Sequence, residues 1–482
     1  MTLAPGHLDT GGDTPGLLPD QVPGSPQLPR LADGVELLGP YQDSGYRDPP
    51  SLVRRPDGQI IQMSPLLYGV ISRIDGVRDS AAIADLVSAD LGRALGADQV
   101  RFLLSAKLLP LGVVAAEGAP AVAPRANPLL ALRARCTLLP ERVANAAGTL
   151  LRPLFRWPLV VAVVAAVLAL DYWIFAVHGL GGGMHQVLRD PVDLLVVVGL
   201  SVVSALFHEC GHASGCRCGG ARTGVIGFGI YLVWPSFFTN VTDSYRLSRA
   251  GRLRTDLGGL YFNLIFMLVL AGVYAATSYE LLLLVIAVTH LEMLEQLLPF
   301  ARYDGYFILS DLVGVPDLFA RVLPILRSVL APRTADPRTG EPRTADPRVA
   351  GLRRRSRIVV TSWVLLVIPL LVATFGYMVG CLPQINRALW HSVRQQAHSV
   401  ATALAAHDFA LATAGLVGVL LVALSIAGSL FVTVGLARRL VTAGLRWSAG
   451  RPRRRLLVCT AGLAVLAGLG ALWTVQGQLS GW

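Results

Sequence analysis

Seven apolar runs, each near the ~20 residues needed to cross a bilayer, fall at 157–177, 192–212, 258–277, 281–300, 358–379, 409–436 and 456–475. Inside hydrocarbon every backbone N–H and C=O must be bonded within the chain, so runs of this length are confined to helices. The rest of the sequence does not dilute the signal. At 53% hydrophobic and 15% charged residues over 482 positions, the chain is too apolar for an ordinary water-soluble enzyme. The expected fold is mainly α: a polytopic membrane helical bundle of about seven spans, preceded by a small N-terminal α+β winged-helix-like domain.

Arginine placement orients the bundle. The formal charge of +11 comes almost wholly from arginine, since Lys107 is the only lysine. Loops retained in the cytoplasm are enriched in positive charge. Arg133, Arg135, Arg142, Arg152 and Arg156 precede the first run, and the next loop has only Arg189. Arg217, Arg222, Arg246, Arg249, Arg252 and Arg254 crowd the third connection, whereas the turn after Thr277 has none. The alternation continues through 302–357, the sparse loop at Arg387 and Arg394, and 438–455. It predicts a multi-pass cell-membrane protein with its N-terminal domain in the cytoplasm. Six cysteines over this length are no disulfide framework.

Residues 1–35 are rich in Pro, Gly and Asp and read as a disordered lead-in. From 36 to 116 a strand over 51–55, a Pro56-Asp57-Gly58 turn, a strand over 59–63 and three helical patterns make a winged-helix module, with Asp98 placed to cap the last helix. Only Arg101 and Lys107 are basic on that helix, which equips it poorly for phosphate, so no nucleic-acid partner is expected. Residues 117–156 read as a linker and 157–320 as the membrane core. Residues 321–357 read as a basic cytoplasmic loop with a Pro-Arg-Thr-Ala-Asp-Pro-Arg repeat, and 358–482 as three further spans.

The chemistry is concentrated in Phe207-His208-Glu209-Cys210-Gly211-His212, at the inner end of the second run. Helical positions four apart share a face, so His208 and His212 can address one metal ion, for which zinc is the expected occupant. Glu209 lies one residue round the helix, where it reaches a water at the metal and serves as general base. Ionisable groups in a membrane segment are costly and mark function. A hydrolytic zinc takes a third protein ligand and keeps a position open. Asp304, after the fourth run, is the candidate, because the alternating topology brings the inner ends of the second and fourth spans to one depth. Glu292 and Glu295 are reserve ligands. Cys216 and Cys218 form a nearby Cys-x-Cys pair. The apolar, glycine-punctuated stretch 224–235 is too short to cross; it is either a re-entrant strand lining the site or a segment resting at the interface.

The pattern His208-Glu209-x-x-His212, with Tyr303-Asp304-Gly305 and Gly258-Gly259-x-x-x-Asn263, resembles the site-2 protease family of membrane zinc metalloproteases over about residues 192–319. The run Asp304-Gly305-Tyr306-Phe307-x-Leu309-x-Asp311 with Pro316-Asp317-Leu318 is similar to bacterial members described as "putative peptide zinc metalloproteases", found with peptide-modification or export systems. That resemblance implies one zinc held by His208, His212 and Asp304, with Glu209 catalytic. It also implies that Asn263 holds the substrate backbone of a peptide or membrane protein. Gln296 and Leu260 depart from the family's Asn and Pro at their positions. The 36–116 region resembles PqqD-like peptide-recognition domains, which implies a leader peptide or export partner added as a strand at a sheet edge. Other classes compatible with the residues are a non-proteolytic zinc-binding component of a peptide export, maturation or immunity system, and an ion-moving transporter.

Overall fold

The computed structural model describes residues 28–55, 60–92, 94–115, 133–189, 192–231, 234–299, 301–330 and 347–479. The Pro56-Asp57-Gly58 turn lies outside these residues, as does the repeat apart from its last two residues, Pro347 and Arg348.

The N-terminal unit is a three-stranded antiparallel sheet, β1 (Glu36–Pro40), β2 (Ser51–Arg54) and β3 (Ile60–Met63), in the order β1-β2-β3. Three helices cover it: α1 (Pro65–Ser72), α2 (Ser80–Leu91) and α3 (Ala97–Phe102), the last continuing through a wider turn at Leu103–Leu108. Ser64 caps α1 by accepting the Leu67 N–H, and Asp79 caps α2 through Ala82. Asp98 does not cap α3. That position belongs to Gly96, whose N–H donates to Gln99 Oε1 at 3.1 Å, and Asp98 sits in the first turn instead. The wider turn keeps Val100, Leu104 and Leu108 on the core side with Val53, Ile61, Ile71 and Val87. Residues 28–35, read with the lead-in, belong to this unit: Leu31 bridges to Val114, and Leu31 and Val35 pack on the same core.

The stretch 133–156, read as linker, carries β4 (Arg133–Leu139) and α4 (Glu141–Leu151). Then follow α5 (Trp157–Tyr172, helical on to His178), α6 (Gly181–Arg189) and α7 (Asp193–Cys218). A hairpin of β5 (Ile226–Tyr231) and β6 (Trp234–Thr239) joins β4 in a second antiparallel sheet, ordered β4-β5-β6. The 224–235 stretch therefore supplies β5 and the first two residues of β6. Next come α8 (Arg249–Asp256), α9 (Gly258–Thr277), α10 (Leu281–Gln296), α11 (Asp304–Val313), α12 (Phe319–Leu330) and α13 (Pro347–Ala350). The chain ends in α14 (Arg354–Ala405), α15 (Phe409–Ser448) and α16 (Pro452–Leu479).

Five helical segments among the described residues are long and apolar enough to cross a membrane: Trp157–His178, Asp193–Cys218, Gly258–Thr277, Arg354–Thr374 and Phe409–Arg446. Five of the seven expected runs therefore qualify by length and composition among the described residues. The fourth run forms only the 16-residue α10. At 1.5 Å per residue that spans roughly 24 Å against the ~30 Å of a hydrocarbon core. Pro299 bars its continuation, because the residue before a proline leaves the helical region. The seventh run lies in α16 and is not among the five.

Small residues decide how α7 meets its neighbours. A Cβ at Gly211 would overlap the Gly258 carbonyl, one at Gly215 the Arg254 carbonyl, and one at Gly148 of α4 the Ala213 carbonyl. Without these glycines the backbones could not approach so closely, the usual way membrane helices gain packing energy when lipid is as apolar as their side chains.

Candidate metal centre

His208 and His212 project from one face of α7, their Nε2 atoms 3.0 Å apart. Asp304, the first residue of α11, brings Oδ2 to 3.1 Å from His208 Nε2 and Oδ1 to 3.4 Å from His212 Nε2. One ligand atom from each lies within 4.8 Å of the others. The turn that delivers Asp304 is tight: a Cβ on Gly305 would overlap the Leu297 carbonyl at the end of α10. Glycine is required here for close approach. Tyr306, Asp317 and Leu318 of the motif hold the backbone in place. The Tyr306 hydroxyl donates to Asp317 Oδ1 at 3.2 Å and accepts the Leu318 N–H at 3.0 Å, which pins α11 to the start of α12.

The donor set suits a zinc ion. His208 and His212 are 4% and 8% exposed, and Asp304 Oδ2 is buried with no hydrogen-bond donor of its own. Burial opposes ionisation of Asp304, but the neighbouring His212 and His208 side chains outweigh it and hold the carboxyl below the ordinary carboxylate range. A carboxyl must be deprotonated to serve as a metal ligand. His212 Nδ1 lies 2.8 Å from the Thr255 carbonyl; because a carbonyl only accepts, Nδ1 carries the proton and Nε2 is left to face the metal. Gly259 of α9 completes the fit, since a Cβ there would overlap His208 Nε2.

Glu209 stands outside the ligand group. Its Oε2 accepts the Thr239 hydroxyl at 2.6 Å, from the last residue of β6. With His212, Asp304 and the β6 residues Ser236, Phe237 and Phe238 it lines a cavity of about 170 Å³. Asp256 and Asp311 also reach this cavity, and burial together with the neighbouring Asp311 carboxyl raises the Asp256 carboxyl well above its usual range.

Asn263 is on α9, 2% exposed, and does not line the cavity. Glu292 and Glu295 do not join the ligand group among the described residues; Glu295 accepts from the Tyr303 hydroxyl at 3.4 Å instead. Cys216 and Cys218 direct their sulfurs at the Arg222 and Arg152 carbonyls, away from the histidines. Sequence reasoning missed Thr239, Thr255 and Asp256. No local pattern marks them, because each matters only through a contact made by folding.

A search of curated proteins finds "Putative peptide zinc metalloprotease protein YydH" of Bacillus subtilis (strain 168), 27% identical over 140 residues, which is 29% of this chain. The chain spans 56% of that relative's length. No family model matches the chain, and no solved structure does. Distant homology to a bacterial protein of that description and a buried His-His-Asp group able to hold a metal therefore point the same way.

Proposed function

We propose that this chain is a membrane-embedded zinc metalloprotease of the site-2 type, hydrolysing a peptide bond of a membrane-associated or ribosomally made peptide. The observation that carries this reading is the convergence of His208, His212 and Asp304 from two helices on one point, with Glu209 lining one cavity together with His212 and Asp304. When bound there, zinc polarises the scissile carbonyl and lowers the pKa of water towards ~7.

The chain's own groups do the rest. Glu209 takes the proton of the attacking water and returns it to the leaving amine, while the Thr239 hydroxyl fixes which carboxylate oxygen is free to do so. The Thr255 carbonyl holds the His212 tautomer. A helical peptide bond is shielded by its own hydrogen bonds, so the substrate must be extended. The outer edge of β6 runs beside Glu209 and has no further strand paired to it among the described residues. An extended peptide can add there through backbone hydrogen bonds. The arginine distribution places this site on the cytoplasmic side, where the N-terminal unit would recruit a leader peptide or export partner.

Purified protein is expected to hold one zinc per chain and to cleave quenched-fluorescent peptides; chelation abolishes cleavage and added zinc restores it. Protein that takes up no zinc ends this reading, and zinc without cleavage moves the chain to a non-proteolytic component of export, maturation or immunity. Thr239→Val should lower turnover by roughly ten- to a hundredfold at unchanged zinc content, because a hydrogen bond to a charged group contributes about 1.5–3 kcal/mol. Unaltered turnover would show that Glu209 needs no partner.

A further inference from the structure

We propose that the N-terminal unit is a working part of the metal centre, with Tyr41 a positioning residue for the two helices that set the ligands; this rests on the zinc reading above. The starting point is Arg252 of α8, which is fully buried. A buried guanidinium is tolerated only when its donors are met. Nε donates to Asp311 Oδ1 at 2.9 Å, Nη1 to the Leu247 carbonyl at 2.8 Å, and Nη2 to the Gln42 carbonyl at 3.2 Å. The guanidinium carbon lies 4.3 Å from the centre of the Tyr41 ring. The Tyr41 hydroxyl then donates to the same Asp311 Oδ1 at 2.8 Å. One carboxylate oxygen thus accepts from the N-terminal unit and from α8 together, and the arginine has partners on both.

The two helices joined by this lock are those that touch the ligands. Helix α8 carries Thr255, three positions beyond Arg252, whose carbonyl orients His212. Helix α11 begins with the ligand Asp304 and carries Asp311 about two turns further on. Asp311 also lines the catalytic cavity. The rest of the contact holds the unit in register. Arg249 N–H donates to Asp43 Oδ2 at 3.0 Å, Gly45 N–H to the Gly314 carbonyl at 2.9 Å, and Arg353 N–H to the Gly45 carbonyl at 2.8 Å. Residues 41–45 are therefore pinned to α8, to the end of α11 and to the start of α14 at once. Displacing them changes the spacing of Asp304 and His212, and by reciprocity metal binding stabilises their docked position.

The test uses the full chain in detergent and reads zinc affinity by chelator competition and the visible spectrum of the cobalt(II)-substituted protein. Tyr41→Phe removes one hydroxyl and keeps the ring under Arg252. It is expected to weaken zinc binding about tenfold, the lower end for partners behind a metal ligand, and to shift the cobalt bands. Glu36→Ala breaks the exposed Arg246 pair at the same interface and should leave both readouts at wild-type values. Hydrogen exchange gives the same test without substitution: zinc added to the metal-free wild type should slow exchange at residues 41–45. Wild-type zinc affinity and cobalt spectrum in Tyr41→Phe, or exchange at 41–45 indifferent to zinc, overturns this inference alone. A wild type that takes up no zinc overturns the protease reading with it.

Discussion

Glu209→Gln is expected to keep zinc bound and to lower peptide cleavage by about 10²–10⁴-fold, the range a positioned general acid–base contributes. The substitution keeps the shape of a side chain that is only 8% exposed. The amide oxygen can still accept the Thr239 hydroxyl that now meets Oε2 at 2.6 Å, so packing and substrate access are retained. What is lost is a group able to take a proton. Because the atoms grouped to hold a metal are those of His208, His212 and Asp304, metal content should not change. Single-turnover cleavage of a quenched-fluorescent peptide, measured beside zinc content by elemental analysis, checks both halves. Undiminished cleavage would remove Glu209 from the reaction, and loss of zinc would make it a ligand.

Gly259→Ala is expected to weaken zinc binding by roughly ten- to a hundredfold without touching any ligand. A Cβ at this position would overlap His208 Nε2, the ring atom that faces the metal. Either α9 retreats from α7 or the imidazole swings out of line. Forcing an extra carbon into a packed contact costs about 1–3 kcal/mol, and the ligand atom itself bears the displacement. Relief is hard to find on the other side, since Gly258 and Gly211 already place the two backbones in contact. Gly272→Ala, on the same helix with nothing within 4 Å of its would-be Cβ, is the matched control and should bind zinc as the wild type does. Equal affinities in the two variants would show that the close approach of α9 does not set the His208 position.

The parts of the site carried by one helix could be read from the sequence. His208, Glu209 and His212 are fixed relative to one another by the 3.6-residue turn alone, so their spacing already states a two-histidine face with a carboxylate beside it. Asp304 was reached by a longer route, through the alternation of arginine-rich loops, and the structure brings it to 3.1 Å from His208. The short length of α10 was not legible, because hydropathy averages over a window and does not see that the helix ends at Gln296, ahead of Pro299. The hairpin was half visible: glycine-punctuated apolar residues up to Pro235 marked a strand, but nothing in 236–239 announced that β6 continues to Thr239 and Glu209.

Arg252 marks the boundary most clearly. In the sequence it is one of six arginines in a basic connection, and its charge serves to orient the membrane. In the structure it is fully buried and ties Gln42 and Asp311 to α8 across 210 and 59 residues of chain. The sequence by itself determined the five candidate spans and the histidine–glutamate face, because both follow from local rules: the need to satisfy backbone polar groups in hydrocarbon, and the pitch of one helix. Only the tertiary structure decided which carboxylate meets the histidines, which hydroxyl holds Glu209, and that residues 41–45 pack against the helices carrying Asp304 and Thr255. Those outcomes depend on where glycines let backbones touch and on which distant groups satisfy a buried charge, and no local stretch of sequence encodes either.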